Sequence, residues 1–251
     1  MGHVSFWLSS RQFRWGRCVW MAAVFVAGLV LTLTEPAFAI EPGQTVTGSV
    51  ELGGRTLPLP PGEWTVYFKV EENGEKFANS KLGLVLISGK AIKQTAYFRT
   101  IRSKKGAGFK PYELCAQPYY FHSETAANQV GGAQDCWHVQ AETLAPDNQS
   151  DRQEAITAFA KSRGLFLPLV VIGTRYHRAD QKLLLQAAYG WSPDLILKAP
   201  ADLKAWRFQD WTAESVARDP RKRVIMSKFK RWGEEWRPKI GAAFSATSGA
   251  R

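Results

Sequence analysis

From Trp64 the chain alternates. Trp64, Val66, Phe68 and Val70 fall on one side of an extended backbone, and Thr65, Tyr67 and Lys69 on the other. That period of two predicts a strand with one face on a core. Pro58-Leu59-Pro60-Pro61-Gly62 runs into it as a stiff turn, because each proline fixes its own φ and extends its predecessor. Upstream, Val46 to Leu52 alternates and meets Gly53-Gly54, which predicts a two-residue hairpin turn into Arg55-Thr56-Leu57. Downstream, Glu71 to Lys76 reads as a polar loop with a turn at Asn73-Gly74, and Leu82 to Ile87 as a buried strand. Ser88-Gly89-Lys90 is a tight turn into a long strand over Ala91 to Arg102, and Ser103 to Gly108 is a flexible basic loop. This half predicts an antiparallel meander.

The second half changes period. Ser150-Asp151-Arg152-Gln153 has the form of a capping box, with Ile156, Phe159 and Ala160 at helical spacing and Gly164 placed to end the helix. Leu165 to His177 and Lys182 to Tyr189 predict a second hairpin. From Asp202 onward the pattern is helical, with Asp219-Pro220 as N-cap and first residue of the last helix. Ile225, Phe229, Trp232, Trp236 and Ile240 mark one face of that helix, and Pro238 is expected to bend or shorten its end. The fold class predicted is α+β: a mainly antiparallel sheet in two hairpin or meander groups, one middle helix, and C-terminal helices packed on the sheet. The domain would span residues 40–200, with residues 201–251 as a helical segment lying on it.

The first 39 residues carry a different signal. Arg11, Arg14 and Arg17 precede an apolar run from Val19 to Leu33, and Ala37-Phe38-Ala39 supplies small residues before Ile40. These are the three regions of a secretory signal peptide, which predicts cleavage between Ala39 and Ile40 and a periplasmic or secreted protein. Retention as an N-terminal membrane anchor is the alternative, although the run falls short of the roughly 20 residues needed to span. Arg17-Cys18-Val19 lacks a lipoprotein pattern, and no Arg-Arg pair suggests the twin-arginine route. The chain carries +11, and the leader's three arginines and Glu35 account for only two of those charges.

Export changes the reading of Cys115 and Cys136, the two cysteines that follow the leader. An even pair in an oxidising compartment is most simply a disulfide, which would pin the irregular segment from Ala116 to Asp135. The alternative is a metal site using His122, inside that loop, and His138, two residues after Cys136. Cys-x-His does not follow the usual Cys-x-x-Cys pairing of structural zinc sites.

Between Arg218 and Lys239 stand nine Lys or Arg against Asp219, Glu234 and Glu235. One reading is an amphipathic helix meeting an anionic membrane face or a partner protein through Arg221, Lys222, Arg223, Lys228, Lys230, Arg231, Trp232 and Trp236. The other is a terminal helix whose aromatic stripe covers the sheet while its cations stay solvated. Nucleic acid is not expected, since export removes it and no DNA-binding motif is present. Motifs of serine hydrolases, zinc proteases and calcium loops are absent, and Gly83 to Lys90 misses the phosphate-loop spacing by one residue. His177, between Arg175 and Arg178, is either a base or a structural histidine. No cofactor is expected.

The leader, Leu59-Pro60-Pro61-Gly62-Glu63-Trp64 before a strand, and Trp232…Trp236-Arg237-Pro238 together resemble a group of exported proteobacterial proteins of unknown function. That resemblance implies an envelope location and transfers no catalytic residues. The order of elements is also similar to the Mog1/PsbP-like α+β sandwich, at the level of fold alone. The expectation is a non-enzymatic periplasmic protein that binds a partner or an anionic membrane surface through its basic helix. The rival is a metal-assisted or hydrolase-like enzyme built on the cysteine loop and its histidines.

Overall fold

In the computed structural model, described for residues 40–115, 117–144, 150–198 and 205–246, the Pro60-Pro61-Gly62 turn delivers Trp64 to the core fully buried. Its indole N–H donates to the Pro60 carbonyl at 2.8 Å, so the stiff turn also satisfies the side chain it positions. Residues 1–39, expected from the sequence to be a signal peptide, lie outside the described residues.

Ten strands form: β1 (Thr45–Val46), β2 (Ser49–Leu52), β3 (Arg55–Pro58), β4 (Trp64–Asn73), β5 (Phe77–Ser88), β6 (Ala91–Ser103), β7 (His122–Asn128), β8 (Gln134–Thr143), β9 (Val170–Ala179) and β10 (Leu183–Trp191). Eight of them make one sheet in the order β1-β4-β5-β6-β10-β9-β8-β7, with every pairing antiparallel. β2 and β3 form a separate hairpin, Leu52 opposite Arg55. Gly53 and Gly54 both take positive φ there, as a two-residue turn of this hand requires. A Cβ on Gly53 would also lie 2.1 Å from the Thr100 hydroxyl. The helices are α1 (Asp151–Ser162), α2 (Ala213–Arg218) and α3 (Pro220–Ser245). The class is α+β, with the C-terminal helix packed on the sheet.

Each face of the sheet has its own core. On one face Leu84, Phe98, Leu185, Tyr176, Tyr189, Trp137 and Val139 meet α3, the β2–β3 hairpin, Trp206 and Trp211. On the other, Tyr67, Phe68, Val85, Ile92 and Val171 meet Ile156 and Ala160 of α1. Ser150 caps α1 by accepting from the Gln153 N–H, as the capping pattern predicts. Gly233 lets α3 approach closely: a Cβ there would sit 2.4 Å from the Trp137 ring, and its carbonyl accepts from the Tyr176 hydroxyl at 2.9 Å.

Several expectations need correction. The alternation from Trp64 does not run through. The register of β4 on β5 shifts between Val66 and Phe68, so Phe68 and Val70 join Tyr67 on the α1 face rather than Trp64 on the α3 face. The polar loop starts later, because β4 extends to Asn73. Leu165 to Leu169 is not strand. β9 begins at Val170, after Pro168, whose missing N–H could not join the ladder. The segment expected to be irregular between the cysteines contains β7 and the start of β8. Pro238 does not shorten α3, which continues to Ser245. It is exposed, and so is Glu234, whose carbonyl loses its donor, so water can satisfy the gap.

Candidate functional site

Cys115 and Cys136 are bonded, with Cα atoms 5.5 Å apart. The bond fastens a strap, described for residues 109–115 and 117–121, across the α1 face of β8 and β9. Two ring stacks hold the strap on either side: Tyr112 on His177 at 4.1 Å and Tyr120 on His138 at 4.0 Å. Asn128 and Tyr112 exchange two backbone–side-chain hydrogen bonds, and the Gln134 amide donates to the Phe109 and Lys110 carbonyls. Gln134 Oε1 also meets His177 Nε2 at 2.7 Å, while the Gln186 amide lies 3.3 Å from His177 Nδ1. A Gln186 N–H can only donate, so Nδ1 accepts and the proton resides on Nε2. Burial lowers His177 to about 4. Burial, then the nearby Arg175 charge, lowers His138 to about 3.

The metal alternative fails on geometry. His122 pairs across from Val139 and stands beside Trp137 on the α3 face, with rings 4.7 Å apart. His138, one residue from Val139, points to the α1 face. The two imidazoles are therefore on opposite sides of the sheet, and both cysteines are in the disulfide. Among the described residues no three metal-ligating side chains converge.

The disulfide closes a loop of 21 residues in sequence. Replacing both cysteines by serine is expected to cost about 3 kcal/mol, most of it chain entropy of the unfolded state. Urea denaturation of the double variant measures this, and amide exchange should rise first in residues 109–121.

The basic helix divides into two populations. Ile225, Met226, Phe229, Trp236, Ile240 and Ala243 are buried on the sheet. Trp232 is half-buried, packed between Trp191 at 4.7 Å and Trp236 at 4.9 Å. Lys222 is buried too: its ammonium donates to the Asp210 carbonyl and to Ser215 Oγ and lies over the Trp206 ring at 4.8 Å. These three residues belong to the core, not to a binding surface. Arg221 is exposed and pairs with Asp219, and Lys230 pairs with Glu234. Arg223, Lys228 and Arg231 face solvent, and the last two have no ion-pair partner among the described residues. Among those residues no helix is long and apolar enough to cross a membrane.

What the sequence reading missed lies on the α1 face. An open cleft of about 510 Å³ is lined by Lys81 of β5, Tyr97 and Arg99 of β6, Gln186 of β10, Arg175 of β9, Glu142 of β8, Tyr112 of the strap and the first turn of α1. Glu142 sits between Arg152, in direct contact, and Arg175 at 2.9 Å. Burial would raise its pKa, but the two guanidinium groups outweigh that and hold it near 2. Arg175 is raised in turn, chiefly by Glu142, against its burial. Arg152 stacks over the Tyr97 ring at 4.8 Å, and Arg99 Nε donates to Asn79 Oδ1 at 3.0 Å. Lys81 lies 3.7 Å from Asp151. The Gln153 side chain donates to the Thr143 carbonyl and ties α1 to β8.

The residues that build this cleft alternate with core residues of central strands. Arg175 and His177 flank Tyr176, and Tyr97 and Arg99 flank Phe98. Polar side chains at those positions were a readable signal of a second, wet face. Their convergence across five strands was not.

No family model, no curated protein and no solved structure matches this chain.

Proposed function

We propose that this is a non-enzymatic binding protein whose α1-face cleft takes a small anionic ligand. The observation that carries this reading is charge: four cations, Lys81, Arg99, Arg152 and Arg175, face two carboxylates, Glu142 and Asp151, on one concave surface. Glu142 already has its partners, so it serves to fix Arg152 and Arg175 rather than to receive a ligand. Locked guanidinium forks are suited to carboxylate and phosphoryl groups. Binding rather than turnover is favoured because the groups that could move protons are engaged elsewhere. Glu142 is ion-paired, and His177 is covered by Tyr112 and bonded at both nitrogens. Export fits the same reading, since the disulfide belongs to an oxidising compartment.

Calorimetric titration at low salt with sulfate, phosphate, succinate and acetate tests it. At least one should bind, and Arg99→Gln should weaken it about tenfold, the worth of one charge-assisted hydrogen bond. Among the described residues the Arg99 guanidinium has one hydrogen bond, to Asn79, and no ion pair, so this variant should keep the fold. A protein that takes none of these anions would sink the reading.

A second reading keeps the basic helix as a surface for an anionic membrane or an acidic partner. It is supported by the outward position of Arg223, Lys228 and Arg231, each worth about 1 kcal/mol near an anionic bilayer. It no longer includes the tryptophans.

A further inference from the structure

We infer that the ligand of the cleft is a phosphate monoester, its dianionic phosphoryl group seated among Arg99, Arg175 and the first turn of α1 and its organic part lying along Tyr97 and Tyr112. This rests on the anion-binding reading above and narrows it to one chemistry.

Charge comes first. The cleft holds two more cations than carboxylates, which matches a phosphoryl dianion and over-compensates a single carboxylate. Donor supply is the second argument. Arg175 Nε is buried and has no hydrogen-bond acceptor among the described residues, although the Tyr112 hydroxyl stands close to the guanidinium. Arg99 uses Nε on Asn79, and its two terminal nitrogens make no hydrogen bond among the described residues. At the helix end, the Ser150 hydroxyl and carbonyl accept from the amides of Gln153 and Glu154. The amides of Asp151 and Arg152 have no acceptor within the helix, and both residues line the same cleft. Three terminal oxygens can draw on that many donors, whereas the two oxygens of a carboxylate leave some unused. Space is the third argument. A cleft of about 510 Å³ is far larger than a bare phosphate needs, and Phe68, Tyr97 and Tyr112 give it an aromatic wall for an organic group.

Asp151 works against an anion at this helix end. Its side chain is 72% exposed and turned toward Lys81, which keeps it hydrated and partly compensated. Removing its charge should therefore improve binding.

The experiment is calorimetry on the full mature chain at pH 7.5 with phenyl phosphate, inorganic phosphate, sulfate, succinate and benzoate. Phenyl phosphate should bind at least tenfold more tightly than any other probe. Asp151→Asn should tighten it severalfold and Arg99→Gln loosen it about tenfold, with the thermal midpoints of both variants unchanged. Arg175→Gln is a poorer test, because it strips Glu142 of a partner and threatens the fold. Equal affinity for inorganic phosphate, or tighter binding of sulfate, succinate or benzoate, overturns the monoester while leaving an anion cleft. Binding of none of the five removes both.

Discussion

Trp236→Ala is expected to lower the free energy of unfolding by about 3–5 kcal/mol, the range for truncating a buried Trp. Trp236 is 7% exposed and stacked on Trp232 at 4.9 Å, with Tyr189 edge-on at 5.8 Å. Ala would leave a cavity beneath the middle of α3, and the surrounding rings are too rigid to collapse fully into it. Reversing charge at Lys228 and Arg231 should instead leave stability within about 0.5 kcal/mol, because neither has an ion-pair partner among the described residues to lose. Urea melts of the two variants, with vesicle sedimentation of the second, separate the roles of the helix. If Trp236→Ala were neutral, the helix would not be docked as described. If the charge reversal abolished salt-sensitive sedimentation with anionic vesicles at unchanged stability, the outward face would be a membrane surface.

Acidification is expected to remove about 4 kcal/mol of stability between pH 7.5 and 5, through His138 and His177. Both have folded pKa values, about 3 and about 4, below the 6.5 of an unperturbed imidazole. Between those limits the unfolded chain binds more protons than the native state, so stability is complete above pH 6.5 and declines as pH falls. Each group contributes about 1.4 kcal/mol per pH unit within its window. Glu142 adds a loss of the same sign in a lower window, from 4.5 down to about 2, because its ion pairs need the carboxylate. The physical cause is the strap. Tyr112 and Tyr120 cover the imidazoles, and the carboxylate that acts on His138, Glu142, is offset by its own partners Arg152 and Arg175. Urea midpoints at pH 7.5, 6.5 and 5 measure the decline. His138→Phe keeps a ring against Tyr120 and should roughly halve the loss at pH 5. A flat profile from pH 7.5 to 5 would show that the histidines are not buried as neutral rings.

Much of this architecture was legible locally. Gly53-Gly54, Pro60-Pro61-Gly62-Glu63-Trp64, Ser150 with Gln153, and Asp219-Pro220 each encode a turn or cap through their own backbone chemistry, and each forms where expected. The cysteine pair was readable as well, because two cysteines in a chain expected to be exported have few other uses. The helical spacing of Ile225, Phe229, Trp236 and Ile240 set the buried face of α3. It could not say whether that face met a sheet or a membrane, since either burial has the same period.

What only the tertiary structure decided depends on register between strands far apart in the chain. The shift between Val66 and Phe68 moves Phe68 and Val70 across the sheet, and no local pattern announces it. Whether His122 and His138 could share a metal hinged on the pairing of His122 with Val139, which puts them on opposite faces. The cleft draws Lys81, Arg99, Glu142, Arg152 and Arg175 from four strands and a helix. Each alone reads as a solvated charge. Periodicity reports which side of its own strand a residue occupies, and only the order β5-β6-β10-β9-β8 brings those sides together into one charged surface.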